Sequence, residues 1–227
     1  MPTLRDAETR DLPAIRTVLA RAYHPNPLMT WVFPDAATRD EACAAWLAPS
    51  LERYLSDGVV HVVETGGTVV AVAAWIRAGA SSTPRPATLP TSAGVLAALV
   101  GQDRAVQVRS ALRSSAPLFP SGPSAYLNYL GVDPGLQGTG LGARLVRHGL
   151  AVLTDAGNGA HLGTTDPGNV GFYTALGFTS AGTVLLDEPG PSLEILVRAP
   201  AQPVAQRPDG DPEAGSAGSA NHTRVSP

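Results

Sequence analysis

Between positions 130 and 142 the chain runs Leu-Gly-Val-Asp-Pro-Gly-Leu-Gln-Gly-Thr-Gly-Leu-Gly. An apolar strand breaks there at Asp133-Pro134, crosses a glycine-rich bend and enters a helix. Glycine lets the backbone turn tightly with no Cβ in the way, and the first amides of a helix are unpaired donors at the positive end of its dipole. The pattern is an anion site suited to phosphate. Two other glycine loops fail on detail. A P-loop requires Lys followed by Ser or Thr after its second glycine, whereas Gly140 is followed by Leu141, Gly142 and Ala143. A dinucleotide fingerprint counted from Gly138 requires glycine at 143, where Ala143 stands, and no acidic residue closes a second strand at the expected distance.

A second cluster follows, Asn169-Val170-Gly171-Phe172-Tyr173-Thr174-Ala175-Leu176-Gly177-Phe178. Asn169 and Tyr173, four apart, share one face of a short helix, while Phe172 and Phe178 read as core aromatics. Gln137-x-x-Gly140-x-Gly142 behind Val132-Asp133-Pro134, with this cluster in order downstream, resembles the GCN5-related N-acetyltransferases. The resemblance implies a fold of the α/β (α+β) class, with a mixed, mostly antiparallel central sheet that splays at the cofactor site and is flanked by helices. It also implies acetyl-CoA as co-substrate, its pyrophosphate held by the backbone of Gln137, Gly138, Thr139, Gly140, Leu141 and Gly142. Leu130, Gly131 and Val132 match the splayed strand that holds the pantetheine arm, with the Leu130 amide as oxyanion donor. Asn169 matches a pantetheine contact and Tyr173 the phenol beside the cofactor sulfur. A phenol with pKa near ~10 suits protonation of a departing thiolate of similar basicity. Tyr173 and Leu130 are therefore the expected catalytic groups, in a direct attack of an amine on the thioester.

The chain departs from well-known members of that family at one place. Where they often carry a glutamate base, this sequence has Tyr126, and Tyr126-Leu127-Asn128-Tyr129-Leu130 holds no carboxylate. The amine proton then leaves along water past Asn128 and Tyr126, or to His161, unless the acceptor has a low pKa and arrives partly neutral. His161 reads equally well as a strand histidine hydrogen-bonded in place. Within the family, residues 127–178 and Val70-Ala71-Val72-Ala73-Ala74-Trp75 are similar to the puromycin N-acetyltransferase type of antibiotic-modifying enzymes. Residues 79–124 and the N-terminal half match only loosely, so the acceptor's identity does not carry over. The expected acceptor is an amino group on a small molecule, an antibiotic or other secondary metabolite. A peptide or protein amine is the alternative, and a non-catalytic acyl-CoA-binding module is the rival from another class.

The elements that position these groups follow from periodicity. Residues 3–7 read as a strand, and Asp11-Leu12-Pro13 opens a helix through Ile15, Val18, Leu19, Ala22 and Tyr23. His24-Pro25-Asn26-Pro27 is a bend, and the resemblance implies that the apolar loop after it, 28–35, walls the acceptor pocket. Tyr23, Trp31 and Phe33 are its candidate substrate contacts, joined by Trp75, Tyr126 and Asn128. A second helix spans about 36–55 with Pro49 marking a kink or restart. Residues 59–64 and 68–75 form a hairpin around Gly66-Gly67. A Ser/Thr/Pro/Ala loop fills 79–90, helical pattern broken near Gly101 fills 93–112, and a long helix covers about 138–156. Strands near 160–164, 178–186 and 193–198 complete the pattern.

Composition sets the outer bounds. The 227 residues suffice for one well-buried domain, expected over 1–198, and residues 199–227 have too few large apolar side chains to order themselves. Asn221-His222-Thr223 fits a glycosylation sequon by letter only. A net charge of −3 and a pI near 5.9 argue against a nucleic-acid binder. The five histidines are scattered without ligand spacing, so no metal is expected. The one cysteine, Cys43, in helix-patterned sequence, reads as a small core residue in a reducing compartment. With neither a leader pattern nor a membrane-spanning stretch, the expectation is a cytoplasmic protein, monomer or homodimer, lacking nucleic-acid and membrane partners.

Overall fold

The computed structural model describes residues 1–80, 90–154 and 157–200. The sequon, most of the loop expected at 79–90 and nearly all of the expected tail lie outside these residues. The strands are β1 (Thr3–Asp6), β2 (Val59–Thr65), β3 (Thr68–Ile76), β4 (Ser124–Val132), β5 (Gly159–Thr164), β6 (Thr179–Leu185) and β7 (Ser192–Arg198). They form one seven-stranded sheet in the order β1-β2-β3-β4-β5-β7-β6. All pairings are antiparallel except β4 with β5. That parallel pair needs a crossover, which α6 (Leu141–Leu153) supplies. The result is the mixed, mostly antiparallel sheet flanked by helices that the resemblance implied.

Both faces of the sheet are covered. The remaining helices are α1 (Leu12–Tyr23), α2 (Pro27–Val32), α3 (Arg39–Asp57), α4 (Ser92–Val100), α5 (Gln102–Arg113) and α7 (Val170–Thr174). On one face Ile15, Leu19, Cys43, Leu47, Leu51, Val62 and Val72 join a core built largely from α1, α3 and the sheet. On the other, α6 buries Leu145, Val146, Leu150 and Leu153 against Ala73, Trp75, Leu127 and Leu162. Those α6 positions recur every three to four residues, the stripe a helix needs to cover a sheet.

Three local features differ from the sequence pattern. Residues 27–32 form a helical turn and a half instead of loop: Pro27 takes its first position, and Asn26 Oδ1 accepts from the Leu28 amide at 3.0 Å. Pro49 does not break α3, which runs unbroken from Arg39 to Asp57. The helix around 138 begins three residues later, at Leu141, because Gly138 and Gly140 hold left-handed backbone, φ +76° and +86°. Among the described residues no helix is long and apolar enough to cross a membrane.

The fit of α6 to β3 depends on one missing methyl. Trp75 is fully buried, and a Cβ built on Gly149 would lie 2.5 Å from its indole atoms Cε2 and Nε1. Gly149→Ala must push the helix off the strand or drive the indole from its rotamer, an overpacking cost of about 1–3 kcal/mol. Chemical denaturation should show that loss, whereas Gly171→Ala, where the added Cβ meets open space, should not.

Candidate active site

The site begins where two strands part. β4 and β5 pair from Ser124/Gly159 to Leu127/Leu162 and then separate, β5 continuing with β7 through Gly163/Ile195 and Thr164/Glu194. On its other edge β4 stays with β3, but Ala74 faces Tyr129 while Trp75 faces Leu127, so Asn128 is an extra residue, a β-bulge. The bulge reverses the alternation. Ala125 and Leu127 point into the α6 core, whereas beyond Asn128 it is Leu130 and Val132 that pack on that side, and Tyr129 joins the α1 side. Gly131 then lies under α1, where a Cβ would come within 2.8 Å of Leu19 Cδ2.

Past the parting point, β4 offers unpaired backbone groups to the wedge. One of them has found a side chain. The Leu130 N–H donates to the Tyr23 hydroxyl at 3.1 Å. Tyr23 thus stands at the amide expected to serve as oxyanion donor, and burial pushes its phenol pKa well up. Gln137 also faces the strand end, its Nε2 donating to the Val132 carbonyl at 3.3 Å.

Two cavities open on the wedge. One, of about 510 Å³, is lined by Gly131, Val132, Gln137, Gly138, Gly140, Leu141 and Gly142, with Asp166 and Phe172 opposite. At Gly138 and Gly140 a Cβ would meet nothing within 4 Å, and the first amide after the loop to find a carbonyl is that of Arg144, on Gly140 at 3.0 Å. An open arc of glycine backbone feeding a helix N-terminus fits a pyrophosphate. Thr139 does not line this cavity; its hydroxyl turns back to the Leu136 carbonyl at 2.6 Å.

The second cavity, of about 390 Å³, reaches from the wedge toward α3, α5 and β7. Leu130, Tyr23, Asn26, Asn169 and Tyr173 line both, so the cavities meet at three residues the sequence marked for acyl chemistry, Leu130, Asn169 and Tyr173, at the expected substrate contact Tyr23, and at Asn26, which the sequence placed only in a bend. Asn169 is held near Asp166, 3.5 Å from Nδ2 to Oδ2, and Asp166 accepts from the Gly168 amide at 2.9 Å. Tyr173 is 8% exposed, packed edge-on against Phe172 and Phe178, and burial raises its phenol pKa above the usual value.

Of the six expected substrate contacts, Tyr23, Tyr126 and Asn128 line the second cavity and three do not. Trp75 is buried beneath α6 because strand alternation aims it at that core. Phe33 is buried and packs edge-on against Trp46 at 5.7 Å between ring centroids. Trp31 lies under the Arg104 guanidinium, 4.1 Å from the ring centroid. Helix α2 explains the last two: winding residues 27–32 turns these rings toward packing partners. Trp46, Ser50 and Phe119 line the cavity instead. No local motif marks them, since long-range packing alone brings α3 and the residue-119 turn to β4. His161 is absent from the lining; it stacks behind Tyr126, 4.8 Å and 12° between rings, with Nδ1 2.8 Å from Ser124 Oγ. Burial pushes its pKa down to about 4.

A sequence model of the acetyltransferase (GNAT) family matches residues 19–178. The chain belongs to this family. It is an acetyl-CoA-dependent N-acetyltransferase, with acetyl-CoA as co-substrate. Among the described residues no three His, Cys, Asp or Glu side chains group as a metal ion would need. The solved structures similar to this acetyltransferase share its fold. A histone acetyltransferase HPA2 and related acetyltransferase from Corynebacterium glutamicum is 22% identical, with 90% of this chain and 99% of that one covered at a TM-score of 0.64. The ribosomal-protein-S18-alanine N-acetyltransferase of Escherichia coli is 20% identical over 91% and 97%, TM-score 0.51. A mosquito protein described as arylalkylamine N-acetyltransferase like 5b is 16% identical over 87% and 99%, TM-score 0.52.

Gly140 offers a direct probe of the anion loop. A side chain at φ +86° is strained by about 1–2 kcal/mol, which the loop relieves by turning its amides away. Gly140→Ala should therefore weaken coenzyme A binding about 5- to 30-fold by calorimetry, while the unfolding temperature moves little.

Proposed function

We propose that this enzyme acetylates an amino group on a small molecule of the antibiotic or secondary-metabolite kind, by direct attack within the wedge. The meeting of the two cavities at Leu130, Tyr23, Asn169 and Tyr173 is the observation that carries this reading. The acceptor cavity, about 390 Å³, lies within the size range of small-molecule sites, which supports this reading.

Bound acetyl-CoA supplies an acetyl group activated as a thioester. The residues around it have separable tasks. Backbone from Gln137 to Gly142 holds the diphosphate and thereby fixes where the rest of the cofactor lies. The Leu130 N–H donates to the acyl oxygen as charge gathers there, and the Tyr23 phenol that now occupies it yields the bond or adds its own. The amine nitrogen bonds to the acyl carbon, the carbon–sulfur bond breaks, and its electron pair stays on sulfur. Tyr173 gives sulfur a proton. The proton shed by the nitrogen returns through water to the phenolate, so the cycle closes. Burial raises the phenol pKa, but the same desolvation raises that of the departing thiolate, which keeps the two matched. Cys43 is buried and lines neither cavity, and its thiol pKa is pushed up to about 12, which supports transfer without an acyl-enzyme.

Tyr173→Phe keeps the ring and its packing but removes the proton. It should lower kcat about 10²- to 10⁴-fold with coenzyme A affinity unchanged by calorimetry. A variant with full kcat would remove Tyr173 from the mechanism.

A further inference from the structure

Three contacts pin the last turns of α1 to the end of β4. Arg21 reaches Asp133 at 2.8 Å, Gly131 leaves room for Leu19 and Ala22, and Tyr23 meets the Leu130 amide. A Cβ on Gly131 would stand 2.8 Å from Leu19 Cδ2 and 3.4 Å from the Ala22 Cβ, so the bare glycine sets how closely the helix approaches. The phenol at the helix end is thereby delivered to one atom of the strand.

The direction of that hydrogen bond matters. Leu130 donates and Tyr23 accepts, at 3.1 Å, and among the described residues the phenol's own hydrogen goes to no acceptor. Tyr23 lines both cavities, so this unspent hydrogen is held at their junction. Burial first, and the neighbouring Tyr173 with it, raises the phenol pKa, so the hydrogen stays in place across the neutral range.

Acyl transfer gathers negative charge on the acyl oxygen, and a donor is worth most where that charge develops. The Leu130 N–H has a single hydrogen. An oxygen that takes it displaces the phenol, whose own hydrogen is then free to turn to the newcomer at the ~2.7 Å of an ordinary O–H···O contact. Giving the proton away altogether would leave a buried phenolate, and no described cation lines either cavity to pair with it. Tyr23 therefore lends a hydrogen bond and keeps its proton, while Tyr173 supplies sulfur.

We propose that Tyr23 is a two-position oxyanion donor, which accepts from the Leu130 N–H until an acyl oxygen takes that hydrogen and then donates to the same oxygen beside it. This rests on the acetyl-transfer reading above, and it gives Tyr23 a part at the acyl oxygen beyond lining the acceptor cavity. The balance of the reaction is unchanged: the nitrogen–carbon bond forms, the carbon–sulfur bond breaks and Tyr173 protonates sulfur. Coenzyme A, with no acyl oxygen, leaves the phenol on Leu130, so the position of this hydroxyl follows whether the sulfur is loaded.

Tyr23→Phe keeps the ring and separates donation from mere displacement by a count of hydrogen bonds. If the phenol donates, the unaltered site goes from one bond to two when acetyl-CoA binds and the variant from none to one, an equal gain. Calorimetry should then find the same ratio of acetyl-CoA to coenzyme A affinity in both. If the phenol only yields, the unaltered site gains nothing and the variant gains a bond, so the ratio should rise about 2- to 10-fold in the variant. Infrared difference spectra of bound acetyl-CoA, isotope-labelled at the carbonyl carbon, should place the carbonyl stretch lower in the unaltered chain than in Tyr23→Phe. Thiol release with a panel of aromatic and aliphatic primary amines should show kcat reduced about 10²- to 10³-fold in the variant. Coincident carbonyl frequencies, or a raised affinity ratio with kcat kept, would overturn the two-position role and leave acetyl transfer standing. Absence of thiol release from the unaltered chain with every amine, while calorimetry still detects coenzyme A binding, would instead overturn the acetyl-transfer reading and this one with it.

Discussion

Everything in the site depends on the sheet coming apart beyond Leu127 and Leu162. A β-strand in mid-sheet normally has both edges satisfied, and buried backbone groups left without partners are costly. Here the strand keeps its partner on one side and surrenders it on the other, so that its exposed edge becomes a row of donors and acceptors for something that is not protein. The bulge at Asn128 is placed at the parting, where an extra residue increases the local twist and re-aims residues 129 to 132. The Leu130 amide faces the gap as a consequence. That amide does not go unpaired, because Tyr23 from α1 brings a hydroxyl to it.

The glycine loop depends on the same geometry. β4 delivers the chain to Asp133, whose carboxylate accepts from the Gly135 amide and whose own N–H bonds back to Val70, fixing the exit direction. From there Gly138 and Gly140 turn the backbone through left-handed conformations and present the N-terminus of α6. α6 is in turn seated by Trp75 against Gly149. Strand edge, glycine loop and helix are therefore joined in one continuous run of contacts, from the Leu130 amide to the N-terminus of α6.

How much of this was legible in the sequence depends on how local each signal is. The glycine loop, the Asn169–Tyr173 face, the hairpin around Gly66-Gly67 and the break at Gly101 are written in adjacent residues, and each is found in its expected place. The acceptor wall is different. Trp31 and Phe33 looked like pocket residues because they are large, apolar and beside a bend, but Asn26 caps a helix there and the two rings turn to Arg104 and Trp46. Trp75 sits in a strand whose alternation could be read in sequence, yet which face of the sheet α6 would cover could not. Trp46, Ser50 and Phe119 reach the cavity only through packing between elements far apart in the chain, a relation no short motif encodes.

The replacement of a carboxylate by Tyr126 has an electrostatic logic of its own. A carboxylate at that position would be buried among Phe119, His161 and the ring wall, and without a cation to pair with it would be driven toward its protonated form, useless as a base. A phenol keeps its hydrogen and remains uncharged there, with its pKa raised by the same burial. His161, stacked on that phenol and held by Ser124, is likewise kept neutral. Among the described residues, the lining of the cavity thus carries no formally charged side chain.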